Sequence, residues 1–372
     1  MISDQNFYRS LVTKSLNNQP LPKEDCQAIL QSADIELLAL LHSAYQVRKR
    51  FHGNDVEVHI INNIQNGLCP EDCHYCAQAR NSQSAIEDYP LKNEDEILKD
   101  AKQAYESGAF RYCMVSSGRG PSEKRVDQLS DLIRKIKSLY PIEVCVSAGL
   151  MNYDAAKKLK DAGLDRLNHN LNTSEANYPN ICTTHTFQDR LKTLLSARRA
   201  GLEICSGMIT GMGETADDVI QIALKLRELR AKSIPINFLV PIEGNLLTQP
   251  KNLTPQYCLR ILCLFRFLNP TAEIRMAAGR EGHLRSLEVM GLYAANSLFL
   301  DGYLNTKGSK TARTLRMIKD AGFTIKSEMN IDTLLTNLDD KSNEFQIDDT
   351  HEYMKTLHDL RPHLENSKAP TH

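Results

Sequence analysis

The sequence predicts an α/β protein, a (β/α)8 barrel of the TIM type with an N-terminal helical extension. Two observations carry this expectation. From about residue 56, eight short apolar, β-branched runs recur, each followed by a loop with Gly or Ser and then by a segment of helical period. Most of the runs are apolar on both faces, as strands of a covered parallel sheet must be. A doubly wound open sheet uses the same units and is the competing fold.

In order, the runs are VEVHIINNI from Val56, FRYCMVSSG from Phe110, IEVCVSAG from Ile142, DRLNHNLNT from Asp165, EICSGMITG from Glu203, SIPINFLVP from Ser233, EIRMAAGR from Glu273 and NSLFLDGY from Asn296. Between them, Asn93 to Tyr105 reads as a helix: Ile97, Leu98, Ala101, Ala104 and Tyr105 form one stripe, Asn93 can cap, and Gly108 follows the end. Ser122 to Tyr140 repeats the pattern with Val126, Leu129, Ile133 and Ile136. Thr215 and Asp218 have the spacing of a capping box, and Pro270 closes the helix that starts near Thr254.

Residues 1–50 read as two or three helices expected on the N-terminal side of the barrel, which itself occupies 51–327. Beyond, 328–372 turns acidic, polar and poor in aromatic residues, the composition of a weakly ordered tail.

Lys plus Arg number 45 against 46 Asp plus Glu, and no long basic block occurs. That balance argues against nucleic acid or a membrane surface and for a small, roughly neutral partner. The N-terminus, MISDQNFYRSLVTKS, lacks the order of a secretion signal, so a cytoplasmic location is expected. In that compartment thiols stay reduced, and clustered cysteines among the ten present point to metal binding or catalysis.

Cys69, Cys73 and Cys76 fall within eight positions, just after the first predicted strand, where barrel enzymes carry their chemistry. A structural zinc site needs four closed ligands. His74 could be the fourth, but it lies between two cysteines that face one centre and so points away from it. The other reading is an iron–sulfur cluster on three thiolates, which keeps one iron open.

A second set lies midway along the strands: Cys113, Cys145 and Cys205 on the second, third and fifth runs, with Arg275 on the seventh. Taken singly, each cysteine reads as a small buried hydrophobe. Together with an arginine, which inside a barrel must find acceptors or an anion, they read as ligands. Asn168, Asn170 and Asn172 alternate along the fourth run and share a face, offering donors and acceptors at once. The Gly211-Met-Gly213-Glu-Thr215 loop allows close backbone approach of a nucleoside. Cys26, Cys182, Cys258 and Cys263 match no ligand position, and the last two read as packing residues of one helix. His169 and Arg280 read either as supporting groups of the site or as structural ones.

The three-cysteine spacing, with Tyr75 just before the third thiol, resembles the radical S-adenosylmethionine family. Within it the chain resembles the biotin synthases from about Asn62 to Gly322, through GLCPEDCHYC, RYCMVSSGRGP, LNHNLNTS, CSGMITGMGET, SIPINFL, IRMAAGRE and GLYAANSLF. The resemblance implies a homodimeric (β/α)8 barrel that inserts sulfur between two unactivated carbons of dethiobiotin, using two molecules of S-adenosylmethionine. It implies a [4Fe–4S] cluster on Cys69, Cys73 and Cys76, and an auxiliary [2Fe–2S] cluster, the sulfur donor, on Cys113, Cys145, Cys205 and Arg275. It further implies that Tyr75, Asn170 and Asn172 meet the cofactor, that Arg111 sits near the cofactor's carboxylate, and that Asn168 and Asn237 hold the cyclic urea of the substrate. No side chain acts as an acid, base or nucleophile, and a reducing electron-transfer protein is required. The alternatives are another radical enzyme of the same barrel type, or a non-catalytic zinc or iron–sulfur sensor. The missing basic stripe and the size of the scaffold weigh against the sensor.

Overall fold

The computed structural model describes residues 5–338 of the 372. Three helices, α1 (Gln5–Leu16), α2 (Lys23–Gln31) and α3 (Leu37–His52), lead into β1 (Asp55–Gln65). The chain continues through α4 (Glu94–Glu106), β2 (Arg111–Ser116), α5 (Glu123–Leu139), β3 (Glu143–Ser147), α6 (Tyr153–Asp161), β4 (Arg166–Asn168) and α7 (Phe187–Arg199). Next come β5 (Glu203–Cys205), β6 (Met208–Thr210), α8 (Ala216–Glu228), β7 (Ser233–Phe238), α9 (Pro255–Leu268), β8 (Glu273–Met276), α10 (Arg280–Leu284) and β9 (Ser297–Phe299). The short elements α11 (Thr311–Asp320), β10 (Thr324–Ile325) and α12 (Ile331–Asn337) finish the described chain.

Every ladder is parallel, and β1 pairs with β2 on one side and β9 on the other, which closes the sheet. The barrel expectation therefore holds over the open-sheet alternative. All eight predicted runs are strands, and the fifth is divided into β5 and β6. The break has a local cause. Gly207 lies against Pro235 of β7, a residue with no N–H to offer the ladder, and a Cβ on Gly207 would stand 1.8 Å from the Pro235 carbonyl oxygen. β10 adds two residues beside the start of β1.

Helix starts follow the sequence signals. Asn93 and Glu96 make a reciprocal capping box, as do Thr215 and Asp218, while Ser122 caps α5 and Thr254 caps α9 ahead of Pro255. Cys258 and Cys263 are fully buried in α9, as packing residues should be.

The N-terminal helices pack as an outer layer against α8 and α9, and the ends of α1 and α3 reach the N-terminal side expected of them. Lys23 pairs with Asp217, and Arg260 donates to the carbonyl of Ser32 at 2.8 Å. At the N-terminal side Ser15 of α1 donates to the Phe267 carbonyl at 2.9 Å, and buried Arg48 of α3 donates to the carbonyls of Gly53, Asp55 and Ala295. The tail expected from residue 328 begins too early. Asn330 caps α12, and Ile331, Leu334 and Leu335 are buried, because those three apolar residues make one helical stripe within the polar sequence. The rest of that tail, 339–372, lies outside the described residues.

Gly207→Ala should destabilise the fold by about 3 kcal/mol, since neither backbone can yield without opening the ladder. Urea unfolding measures it, and a midpoint equal to that of the parent would show that the β5–β7 approach is not tight.

Candidate metal and cofactor centre

Strand alternation stacks the inward side chains in layers. The lowest holds charges at the strand starts: Glu57, Arg111, Glu143, Arg166, Glu203 and Glu273. Two residues further along the same strands stand His59, Cys113, Cys145, Asn168, Cys205 and Arg275. Register matches this, with Cys113 opposite Cys145 and Asn168 opposite Cys205. The open, C-terminal end lies above.

The charged layer centres on Glu273. Its Oε2 accepts from Arg111 at 3.0 Å and from Arg166 at 2.7 Å, while Oε1 takes Arg275 and lies 2.9 Å from His59 Nε2. Arg111 also grips Glu143 at 2.9 and 2.5 Å. The guanidinium of Arg111 is taken up by Glu143 and Glu273 of the floor, with Nη1 also 3.3 Å from His59 Nδ1. The expectation that it meets the cofactor's carboxylate is therefore corrected: Arg111 stands one layer below the thiols, on the side away from the open end.

In the layer above, Cys113, Cys145, Cys205 and Arg275 line one small space together with Asn168 and Tyr303. Cys145 donates toward both neighbours and keeps its proton, its own thiol pushed up by those bonds and by burial. The bond from Cys145 draws Cys205 down to about 5, helped by Arg275 against the cost of burial, and Cys113 is lowered the same way. The shifts thus favour the thiolate form at the outer two, beside the guanidinium. Arg275 is fixed by Ser297 Oγ at 3.0 Å and Ser233 Oγ at 2.8 Å, with its plane 4.8 Å from the Phe299 ring.

The other cysteine set follows β1. Gly67 and Leu68 both have positive φ, turning the chain sharply into the loop, and a Cβ on Gly67 would collide with Asp88. Cys73 is buried, and Cys69 and Cys76 are half-buried. Two acids clamp the loop to the segment 182–185. Burial alone would raise the Asp72 carboxyl, but donors from Thr183, Cys182 and Thr184 hold it well below the usual range. Glu71 accepts from Thr184 Oγ1 at 2.6 Å, from Arg119 at 3.0 Å and from His185 Nδ1. His74 uses its backbone to tie the loop at both sides, to Ile181 and Leu247, and joins no close group of metal donors among the described residues.

Between the two sets lies a cavity of about 200 Å³ lined by Tyr75, Cys76, Asn168, Asn170, Asn172 and Asn237, so the expected contacts do converge. Asn172, in the left-handed region at φ 69°, donates to Tyr75 Oη at 2.5 Å. Asn237 is half-used by the backbone, donating to Met208 O and accepting from Ala278 N. Asn168 joins the cavity to the thiol layer, its Nδ2 lying 3.2 Å from Cys205 Sγ. His169 Nε2 is buried with no partner among the described residues, an atom suited to a ligand. The Gly211–Gly213 loop is less open to one, because its amides at Gly211 and Met212 donate to Glu214.

Residues 64–226 match the Radical SAM superfamily, and 235–324 match the Biotin and Thiamin Synthesis associated domain. A biotin synthase of Acaryochloris marina (strain MBIC 11017) is 53% identical over 334 residues, which is 90% of this chain and 95% of that one. The chain belongs to the biotin synthase family. The biotin synthase of Magnetococcus marinus (strain ATCC BAA-1437 / JCM 17883 / MC-1) is 56% identical over 80% of this chain and 93% of its own. That of Bacillus subtilis (strain 168) is 45% identical over 87% and 96%. Among solved structures, methylornithine synthase has a TM-score of 0.73 at 20% identity, covering 87% of this chain and all of that one, a likeness of fold alone.

For a member of the biotin synthase family, the residue that sequence reasoning missed is Arg190. Buried on α7, it donates to the Asn170 carbonyl at 2.8 Å, to Tyr75 Oη at 3.4 Å and to Tyr178 Oη. Its signal was legible: a basic residue on the stripe Phe187, Arg190, Leu194, Ala197. Tyr303, on the loop after β9, carried no such signal.

Glu57 generates a pH dependence. Burial and the negative charge of Glu273 push its carboxyl from 4.5 up to about 7, against Arg111 and Lys326. The fold therefore favours the neutral acid, so this contribution is complete below about pH 4.5 and is lost as pH rises through about 7. Glu57→Gln, neutral throughout, should flatten the decline in stability between about pH 5 and about pH 8. Urea midpoints across that range check this, and an unchanged slope would assign the decline to other groups.

Proposed function

We infer that this chain forms biotin by inserting sulfur into dethiobiotin, the last step of biotin synthesis, as an S-adenosylmethionine-dependent radical sulfurtransferase. The observation that carries this reading is Asn168, which lines the cavity shared by Tyr75 and Cys76 and also touches Cys205 of the other thiol set. Substrate held there has the cofactor site on one side and the sulfur source on the other.

The donor chemistry fits both groups. Cys69, Cys73 and Cys76 would hold the [4Fe–4S] cluster, three soft thiolates leaving one iron for the cofactor. Cys113, Cys145, Cys205 and Arg275 would hold the [2Fe–2S] cluster. The bonds to Ser297, Ser233 and Glu273 use Nε and Nη2 of Arg275 and not Nη1. When bound, these groups and S-adenosylmethionine supply the 5′-deoxyadenosyl radical that removes hydrogen from carbon and the sulfur that replaces it.

The chain's own part is to bind, align and exclude water. Tyr75, Asn170 and Asn172 are assigned to the cofactor, with Arg190 pinning Tyr75 and the Asn170 carbonyl from behind. Asn168 and Asn237 are assigned to the ureido group, whose N–H and C=O match amide acceptors and donors. Leu68 is 77% exposed beside half-buried Cys69, which supports access by an external reducing protein. A homodimer in the cytoplasm completes the reading, and ten free thiols support that compartment.

Anaerobic reconstitution with iron and sulfide should give two spectroscopically separable clusters. Cys69→Ala should remove the one that responds to S-adenosylmethionine and Cys113→Ala the other; loss of both through either change, in a folded chain, would contradict two independent sites. With reductant, S-adenosylmethionine and dethiobiotin, the reconstituted enzyme should release 5′-deoxyadenosine and biotin. Release of 5′-deoxyadenosine without biotin would point to a different radical reaction.

A further inference from the structure

Cys182 belongs to neither thiol set, yet it is buried against one of them. Its Sγ lies 3.8 Å from Cys73 Sγ, and 3.4 and 3.8 Å from Nδ1 and Nε2 of His185. Cys73, Cys182 and His185 are 8%, 2% and 5% exposed, and each presents a donor atom within 4.8 Å of the others. With metal–sulfur bonds of about 2.3 Å and metal–nitrogen bonds of about 2.0 Å, tetrahedral angles put two thiolates about 3.8 Å apart, and a thiolate and an imidazole nitrogen about 3.5 Å apart. The sulfur spacing is that of two thiolates on one ion, and the His185 ring, nearer Cys182 through Nδ1 than through Nε2, has to turn to bring Nε2 onto it.

The surroundings agree. Glu71 Oε2 meets His185 Nδ1, the carboxylate–histidine pairing that orients an imidazole so that Nε2 faces a metal. Arg190 Nε lies 3.1 Å from that Nε2, but it also bonds Tyr178 Oη and keeps that partner when it yields the nitrogen. Asp72, bonded to Thr183 and Thr184, holds the segment bearing Cys182 and His185 against the loop bearing Cys73.

We propose that Cys73, Cys182 and His185 form a mononuclear site for a divalent ion of borderline softness, Zn2+ or Fe2+, in the chain before its cluster is installed. Nitrogen and sulfur donors in a buried trio suit that class and not Mg2+ or Ca2+. Cys73 cannot serve both groups, so the single ion and the [4Fe–4S] cluster exclude each other; this exclusion rests on the cluster assignment above.

The test uses the full chain, metal-free and reduced, carrying Cys69→Ala and Cys76→Ala, which disable the cluster loop, and Cys145→Ser, which removes the central strand thiol. Titrated with Co2+, it should bind a single ion with sulfur-to-cobalt absorption and the visible bands of tetrahedral cobalt, displaced by Zn2+. Adding Cys182→Ser or His185→Gln should weaken binding by more than about tenfold, with circular dichroism showing the fold retained. No tetrahedral cobalt, or binding that survives both changes together, overturns the site. In the natural chain, Zn2+ added first should slow reconstitution of the cluster that responds to S-adenosylmethionine, and Cys182→Ser should abolish that slowing. Slowing that persists in Cys182→Ser overturns the exclusion. Should cobalt bind as described while no such cluster forms on the natural chain, the cluster assignment fails and the ion site stands.

Discussion

One carboxylate holds the interior of this barrel together. Glu273 lies among the guanidinium groups of Arg111, Arg166 and Arg275, all buried and none able to shed its charge. Without an anion at that point, the desolvated cations would repel one another at a cost of several kcal/mol each. Because Glu273 and Arg275 are two residues apart on β8, the same strand that supplies the anion lifts one of its cations into the thiol layer. The position of Arg275 follows from that pairing, and its charge adds to the bonds from Cys145 that lower Cys113 and Cys205 beside it.

Two kinds of order meet above this floor. The thiols of β2, β3 and β5 are held by ladder register, so their spacing is as rigid as the sheet. The loop thiols are held by side chains, through Glu71 and Asp72, on a stretch with almost no regular structure. Asn168, last residue of β4, stands where the two regimes touch.

Much of this could be read before the structure. Short, mostly continuous apolar runs located all eight strands, because a covered parallel sheet buries both faces of a strand. Caps at Asn93 and Thr215, and helix starts at Ser122 and Thr254, were visible because a helix start is a local event. What escaped depended on neighbours distant in sequence. The split at Gly207 needs Pro235, 28 positions later. Arg111 looked like a cofactor contact until Glu143 and Glu273 were seen to claim it. Arg190 was overlooked although it interrupts an apolar helical stripe, and the packing of 331–337 was hidden by the acidic residues around it.

Closure of the sheet between β1 and β9 also imposes a timetable on maturation. Cys69, Cys73 and Cys76 are near neighbours along the polypeptide, so little loop entropy opposes bringing them together. Cys113 and Arg275 are 162 residues apart and become neighbours only after most of the barrel has been synthesised and wound shut. The loop thiols can thus come together while the chain is still being made, whereas the strand-borne quartet is assembled only in the finished cylinder.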